Sequence, residues 1–354
     1  MRADMASDTE AGEGSVEARP RRVRNISELA KLAGVSAGTV SRALAGKDLV
    51  NAQTRERIQA LARKHGFSPN QMASRLRTGQ TGVIGLVVPL GRQQKHMLGD
   101  PFAMALLGHI AEALAERGYD LMLSRVTPAH EDEWLSRIVD SGMLDGVLLL
   151  GQSDQFETIE RVAGDYLPLV VWGAHREGQR HCVVGTDSIA GGRMAAQHLL
   201  AGGKRRLAFL GEAHCTQSAQ RLAGAELAVA ENGSGAAIAA WTVEPADGDL
   251  PGQIGALLER MDPATDGIFA ASDAIAMAAL RVLHERGRRV PGDIAVVGYD
   301  DLPLVMQTVP RLTTVRQDIA GGARAMVGSL LKRIGGEAAP STVLEPMLMA
   351  RESA

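Results

Sequence analysis

The stretch Asn25-Ile-Ser-Glu-Leu-Ala-Lys-Leu-Ala-Gly34-Val-Ser36-Ala-Gly-Thr-Val-Ser-Arg42-Ala-Leu44 reads as a helix, a tight turn and a second helix. Asn25 is a favourable N-cap, and Glu28, three residues on, makes a near capping box. Ile26, Leu29, Ala30 and Ala33 recur at i, i+3, i+4 and i+7, one apolar helical face. Gly34 supplies a left-handed C-cap, Val35 fills the angle between the helices, and Ser36 caps the second helix. Val40, Ala43 and Leu44 turn inward on that helix. Ala37, Gly38, Thr39, Ser41 and Arg42 are left outward, a small polar face that fits a major groove. An ordinary helical hairpin carries the same pattern, so the surrounding charge has to discriminate. Residues 19–80 hold 13 Lys/Arg against 3 Asp/Glu, whereas residues 81–354 hold 24 against 33. A basic head on an acidic body is the footprint of a nucleic-acid binder with a separate second function.

The chain of 354 residues is long enough for two or three domains, and 45% hydrophobic with 22% charged residues fits a globular protein. Aromatic residues are only 3%, so the core must be aliphatic. No apolar run approaches the length of a membrane span, and the acidic N-terminus lacks a signal-peptide core. Cys182 and Cys215 form neither a metal pattern nor a disulfide framework. The expectation is a cytoplasmic protein with two incidental thiols and no metal, cofactor or membrane partner.

Residues 1–24 lack an apolar period and are expected to be a disordered tail. Asn51 caps a third helix that carries Thr54, Arg55 and Arg57 early, turns Ile58, Leu61 and Ala62 inward, and ends at Gly66. Pro69 forbids its continuation. Residues 70–80 can form two helical turns ending at Gly79, too short for an isolated helix. This segment is expected either to be a hinge that folds on DNA and on a dimer mate, or to be a plain linker. From Thr81 strands and helices alternate. Strands are expected over 83–88, 118–124, 146–150, 169–172, 183–187, 206–210, 238–243, 267–270 and 294–298. Such alternation means parallel sheets covered on both faces. The series is too long for one sheet and restarts near 184, so two similar lobes with a cleft at the strands' carboxyl ends are expected.

The chain resembles the LacI/GalR family of bacterial transcription repressors, of lactose- and galactose-repressor type. Leu32-Ala-Gly-Val-Ser36 with Thr39-Val-Ser-Arg42, Gly66-Phe-Ser-Pro-Asn70, Leu76-Arg-Thr-Gly79, Arg221-Leu-Ala-Gly224, Val296-Val-Gly-Tyr-Asp-Asp301 and Pro310-Arg-Leu-Thr-Thr-Val-Arg-Gln317 carry the likeness. It runs from about Asn25 to Ser353. The resemblance implies an α/β protein: a three-helix DNA-binding domain over 25–69, a hinge over 70–80, and a two-lobed periplasmic-binding-protein-like core over 81–354. Lobe 1 would combine 81–183 with 318–340, and lobe 2 would combine 184–316 with 341–354. Crossovers are expected near Val184, near Gln317 and at 340–346. The implied partners are double-stranded operator DNA, a sugar or sugar-phosphate effector, and a second copy of the chain, with a tetramer as the larger alternative.

Ala37, Gly38 and Arg42 occupy the base-facing positions, and Arg42 can fork onto guanine. Ser36, Thr39, Ser41, Asn51 and Thr54 are expected at phosphates or as caps. In the hinge the resemblance implies contacts from Asn70, Ala73 and Leu76, with Leu76 wedging into the minor groove. It places effector contacts at Arg221 and Asp300, which suit a polyhydroxylated ligand unless they merely pair with each other. Ser272 is a further contact, while Asp273 is read as the cap of its own helix. Phe102 and Trp172 are stacking candidates or core, and Gln317 sits at a crossover. The loop Leu90–Asp100 departs from the family's short form, so the effector cannot be carried over. No hydrolase elbow, phosphate loop or dinucleotide fingerprint is present; Gly191-Gly192 does not make one. The reading is therefore a non-enzymatic regulator, most simply a repressor of a carbohydrate operon released by its effector. An activator or co-repressor-dependent regulator is the alternative, with a sugar transport protein behind it.

Overall fold

The computed structural model describes residues 23–44, 50–67, 80–89, 99–126, 133–152, 155–213, 215–245 and 248–354. The chain divides into two compact units, Met1–Gln80 and Thr81–Ala354. The expected hinge helix with Asn70, Ala73 and Leu76, the tail over 1–22 and most of the loop Leu90–Asp100 lie outside the described residues.

In the first unit α1 is Ile26–Ala33, α2 Ala37–Leu44 and α3 Ala52–Lys64. Asn25 accepts the Glu28 amide at 2.9 Å, and Glu28 returns by accepting the Arg24 amide at 3.1 Å. Gly34 turns the chain at φ +65°, its N–H directed to the Ala30 and Lys31 carbonyls. Only glycine adopts that conformation without steric cost. Leu29, Val40, Ala43 and Ile58 are fully buried and join the three helices. Arg57 donates to the Ala33 carbonyl at 2.8 Å and so ties α3 to an orphan group at the end of α1.

The second unit contains two six-stranded sheets. The first comprises β1 (Val83–Pro89), β2 (Asp120–Val126), β3 (Gly146–Leu150), β4 (Leu169–Trp172), β5 (Cys182–Thr186) and β11 (Thr342–Leu344), in the order β11-β5-β4-β3-β1-β2. The second comprises β6 (Arg206–Gly211), β7 (Ala237–Thr242), β8 (Gly267–Ala270), β9 (Ala295–Asp300), β10 (Thr313–Arg316) and β12 (Met347–Met349), in the order β12-β10-β9-β8-β6-β7. Every neighbouring pair is parallel except β10–β12. The central strands β3, β4, β8 and β9 are buried throughout, as parallel strands covered on both faces must be.

Helices α4 (Pro101–Ala115) and α11 (Ile319–Ile334) cover one face of the first sheet through Leu106, Ile110, Met326 and Leu330. Helices α5 (Trp134–Val139) and α6 (Phe156–Asp165) cover the other through Trp134, Leu135 and Ile159. Around the second sheet lie α7 (Ser188–Ala201), α8 (Thr216–Asn232), α9 (Leu250–Arg260) and α10 (Asp273–Glu285).

The strand expected to open the second lobe belongs to the first sheet: β5 pairs with β4, Val171 opposite Val183. The segment 173–181 between them contains no helix, so the alternation breaks there without a change of lobe. The first crossing follows Thr186 rather than Val184. The C-terminal tail is also shared, β11 pairing with β5 and β12 with β10. Two strands of three residues each are too short for their periodicity to reveal this.

Candidate functional site

On the first unit, Ser36 accepts the Thr39 amide at 3.1 Å, and the two hydroxyls lie 2.9 Å apart. Asn51 likewise accepts the Gln53 amide at 2.9 Å. Both therefore cap their helices in the free protein. Gly38 and Arg42 are exposed, while Ala37, Thr39, Ser41 and Thr54 are half-buried. The Arg42 Nε donates to the Gly38 carbonyl at 3.1 Å, folding the guanidinium back along α2 where position 38 has no side chain.

On the second unit a cavity of about 530 Å³ opens at the carboxyl ends of the parallel strands. Its first wall comes from the loop after β1, the N-terminus of α4, and the ends of β3 and β4. Phe102 and Trp172 meet there with ring centroids 5.6 Å apart and planes tilted by 45°. Asp100 caps α4 by accepting the Phe102 amide at 3.2 Å, which fixes where that ring enters the cavity. The opposite wall carries Glu212 beyond β6, Arg221 on α8, Ser272 before α10 and Asp300 at the end of β9.

Arg221 is held by packing as much as by polar contact. It donates to the Ala271 carbonyl, and its guanidinium carbon sits 3.7 Å above the Tyr299 ring. Helix α8 begins at Thr216, and Arg221 lies in its second turn. Helices α7 and α8 cross at glycines: a Cβ at Gly192 would fall 1.9 Å from the Arg221 carbonyl, and one at Gly224 1.9 Å from the Ile189 carbonyl. Of the glycine pair without a phosphate-binding pattern, Gly192 thus serves close helix packing, and Gly191 leaves room for the Tyr299 ring on which Arg221 rests.

Asp300 and Asp301 adopt φ of +120° and +57°, a strained conformation for residues with side chains. Arg316 and Arg351 grip the Asp301 carboxylate at 2.7 and 2.5 Å, which holds the turn. Gln317 donates to Asp300 at 2.7 Å from behind. It is buried beside the cavity and orients Asp300 rather than lining the wall. Arg221 and Asp300 therefore have separate partners instead of pairing with each other.

The expected cap at Asp273 is corrected. Ser272 caps α10 by accepting the Ile275 amide at 3.3 Å. Asp273 is fully buried and accepts the Leu302 amide at 2.8 Å and the Thr314 hydroxyl at 2.5 Å. Burial pushes its carboxyl up to about 7. Its work is to tie α10 to the strained turn.

Burial raises Asp300 well above the usual carboxylate range; Asp273 and Asp100 add to this, and Arg221 opposes it. Burial also raises Asp100, against the pull of the Phe102 and Ala103 amides. Glu212 is pushed up to about 7 by burial, then by Asp100 and Glu244, with Arg221 opposing. Three acids share one guanidinium, and Glu212, raised to about 7, can donate or accept a hydrogen bond near neutral pH. The sequence reading did not identify Asp100, Glu212 or Gln152 as wall residues. Gln152 and Glu212 are polar residues just past the ends of β3 and β6, and Asp100 is the N-cap of α4; each signal becomes visible only once strand order is known.

The description "Bacterial regulatory proteins, lacI family" matches residues 25–70, and "Periplasmic binding protein-like domain" matches residues 196–354. The HTH-type transcriptional regulator CelR of Thermobifida fusca is 36% identical over 94% of this chain and 99% of its own length. The chain belongs to the LacI family. This regulator is a DNA-binding transcriptional regulator with a helix-turn-helix head and a periplasmic-binding-protein-like core, not an enzyme. Among solved structures, the CelR–cellobiose complex aligns at a TM-score of 0.66 with 33% identity, covering 94% of this chain and 100% of that one. The lac repressor dimer bound to operator and the anti-inducer ONPF aligns at 0.81 with 23% identity, over 94% and 99%, and shares the fold. Among the described residues no helix of this regulator is long and apolar enough to cross a membrane.

Proposed function

We propose that this regulator is a cytoplasmic homodimeric repressor of a carbohydrate-utilisation operon, released from a near-palindromic operator by an uncharged saccharide of about two rings. The observation that carries the effector reading is the pairing of an aromatic corner, Phe102 with Trp172, opposite Arg221, Glu212 and Asp300 in one cavity. An aromatic face suits the C–H face of a sugar, and the guanidinium and carboxyl groups suit its hydroxyls. A single guanidinium already shared with three acids disfavours a phosphosugar, because it leaves a phosphate no unshared cation to pair with. The volume of about 530 Å³ falls within the range of small-molecule sites, and cellobiose is the ligand named for the related CelR complex.

In this reading residues 25–69 read DNA, 70–80 couple the head to the core, and 81–354 bind the effector and dimerise. Arg42 reads a guanine, Ser36, Thr39, Ser41, Asn51 and Thr54 hold phosphates, and Leu76 wedges the operator centre. The exposed setting of Arg42 and the family likeness support these roles.

The test is an operator selected from a random-sequence pool, followed by fluorescence anisotropy of the full chain with cellobiose, other neutral disaccharides and glucose 6-phosphate. A neutral disaccharide is expected to weaken DNA binding, and glucose 6-phosphate to leave it unchanged. If no sugar changes the affinity, the effector reading fails; if a sugar tightens it, the chain is co-repressor dependent. Arg42→Ala is expected to cost about 1–3 kcal/mol on the selected operator and relax preference at one base pair.

A further inference from the structure

Behind the first wall of the cavity, a buried polar chain runs from Gln152 to Glu160. Gln152 lines the cavity just past β3 and is 2% exposed. Its Nε2 lies 3.0 Å from Nε2 of His181, which is 1% exposed. The His181 Nδ1 meets the Glu160 carboxylate, which also accepts the Arg180 amide at 2.9 Å and the His181 amide at 3.1 Å. The Phe156 ring closes over the imidazole edge-on at 5.4 Å.

These contacts decide the orientation of the Gln152 amide. Burial raises the Glu160 carboxyl, but the Arg180 and His181 donors outweigh it, so Glu160 is held below its ordinary value and stays ionised. An ionised carboxylate on Nδ1 requires the proton there. Burial lowers His181, Glu160 opposes, and the Arg176 and Arg333 charges lower it further, so the ring is neutral at pH 7. A neutral ring with its proton on Nδ1 leaves Nε2 as an acceptor. Gln152 must therefore offer its NH2 group to His181, which leaves the carbonyl oxygen over. That Oε1 is buried and has no partner among the described residues. The absence of a side chain at Gly173, where a Cβ would fall 2.8 Å from the Gln152 Cδ, makes room for this arrangement. A buried acceptor without a partner is costly, and is found where something else completes it.

We propose that Gln152 is a specificity-determining effector contact whose Oε1 accepts a hydroxyl of the bound saccharide, and that His181 and Glu160 are positioning residues that fix which end of the amide is offered. A hydroxyl donor fits this oxygen, and a ligand with an ether or carbonyl oxygen at that place is rejected. The inference rests on the saccharide reading above.

The test is calorimetric titration of the full chain with cellobiose, other neutral disaccharides and the monodeoxy analogues of whichever binds. Gln152→Leu keeps the volume and removes the acceptor; it is expected to bind the sugar roughly tenfold more weakly. One monodeoxy analogue is expected to lose a similar factor against the native chain and nothing further against Gln152→Leu. A structural role alone would lower all ligands equally, which overturns the proposal, as does unchanged binding by Gln152→Leu. Binding of no sugar by the native chain overturns the saccharide reading itself. Nitrogen-15 NMR of the native chain adds a check that needs no variant. His181 is expected to carry its proton on Nδ1 at pH 7, and a proton on Nε2 reverses the amide and overturns the proposal.

Discussion

The two walls of the cavity are built from sheets of the same size and nearly the same order, yet they offer opposite chemistry. The first lobe presents Phe102, Trp172, Leu106 and Leu150, with Asp100 and Gln152 as polar exceptions. The second presents Glu212, Arg221, Ser272 and Asp300. A ligand that satisfies both has an apolar face and a hydroxylated edge. The difference also separates two kinds of support. The aromatic wall rests on ordinary core packing, with Trp172 lodged against α11 at Gly322, where a Cβ would fall 2.4 Å from the ring. The charged wall rests on strained backbone at Asp300 and on two helices crossing at glycines. Polar precision therefore depends on the less forgiving scaffold.

The largest expected effect breaks the charged wall directly. Arg221→Ala should cost about 2–3 kcal/mol of saccharide affinity, since it removes a charged donor and leaves the acids uncompensated. Operator binding without effector should be unchanged, and anisotropy with and without sugar checks both. Next, Gly224→Ala should lower core stability by about 1–3 kcal/mol, because its Cβ collides with the Ile189 carbonyl and forces α7 from α8. Denaturant unfolding measures this, and a parallel loss of sugar affinity would show that Arg221 has moved with α8. On the aromatic wall, Trp172→Leu keeps an apolar surface and removes the stacking face, so affinity should fall by about 1 kcal/mol. An equal loss from both walls would dissolve the distinction between them.

The smallest effect concerns pH. Glu212 is raised from 4.5 to about 7 in the folded chain, so the native state binds its proton more tightly than the unfolded chain does. Its stabilising contribution is full below about pH 4.5 and is lost as pH rises through about 7. Asp100, Asp273 and Asp300 are raised as well and act with the same sign. Unfolding free energy should therefore fall across this window, and Glu212→Gln should make the fall shallower. An unchanged slope would place Glu212 in contact with water rather than in the charged wall.

The sequence by itself determined the elements that depend on neighbours along the chain. Asn25, Gly34 and Ser36 mark the helix-turn-helix, because caps and turns act over three or four residues. The runs Val83–Val88 and Leu169–Trp172 declare buried parallel strands by composition alone. Arg221, Asp300, Phe102 and Trp172 were legible as cavity residues through family motifs or their places at strand ends, and all four line one cavity. The tertiary structure alone decided which sheet takes β5 and the tail, since hydrogen-bond partners across a sheet leave no trace in local periodicity. It also separated the neighbouring residues Ser272 and Asp273 into cap and internal tie. Gln152 and Glu212 became wall residues only when the strand ends were brought together, and Asp100 only when the N-terminus of α4 was set beside them. A side chain's protonation and partners are set by what surrounds it in space, and for Glu212 and Asp300 those surroundings come from both lobes and from segments more than a hundred residues apart.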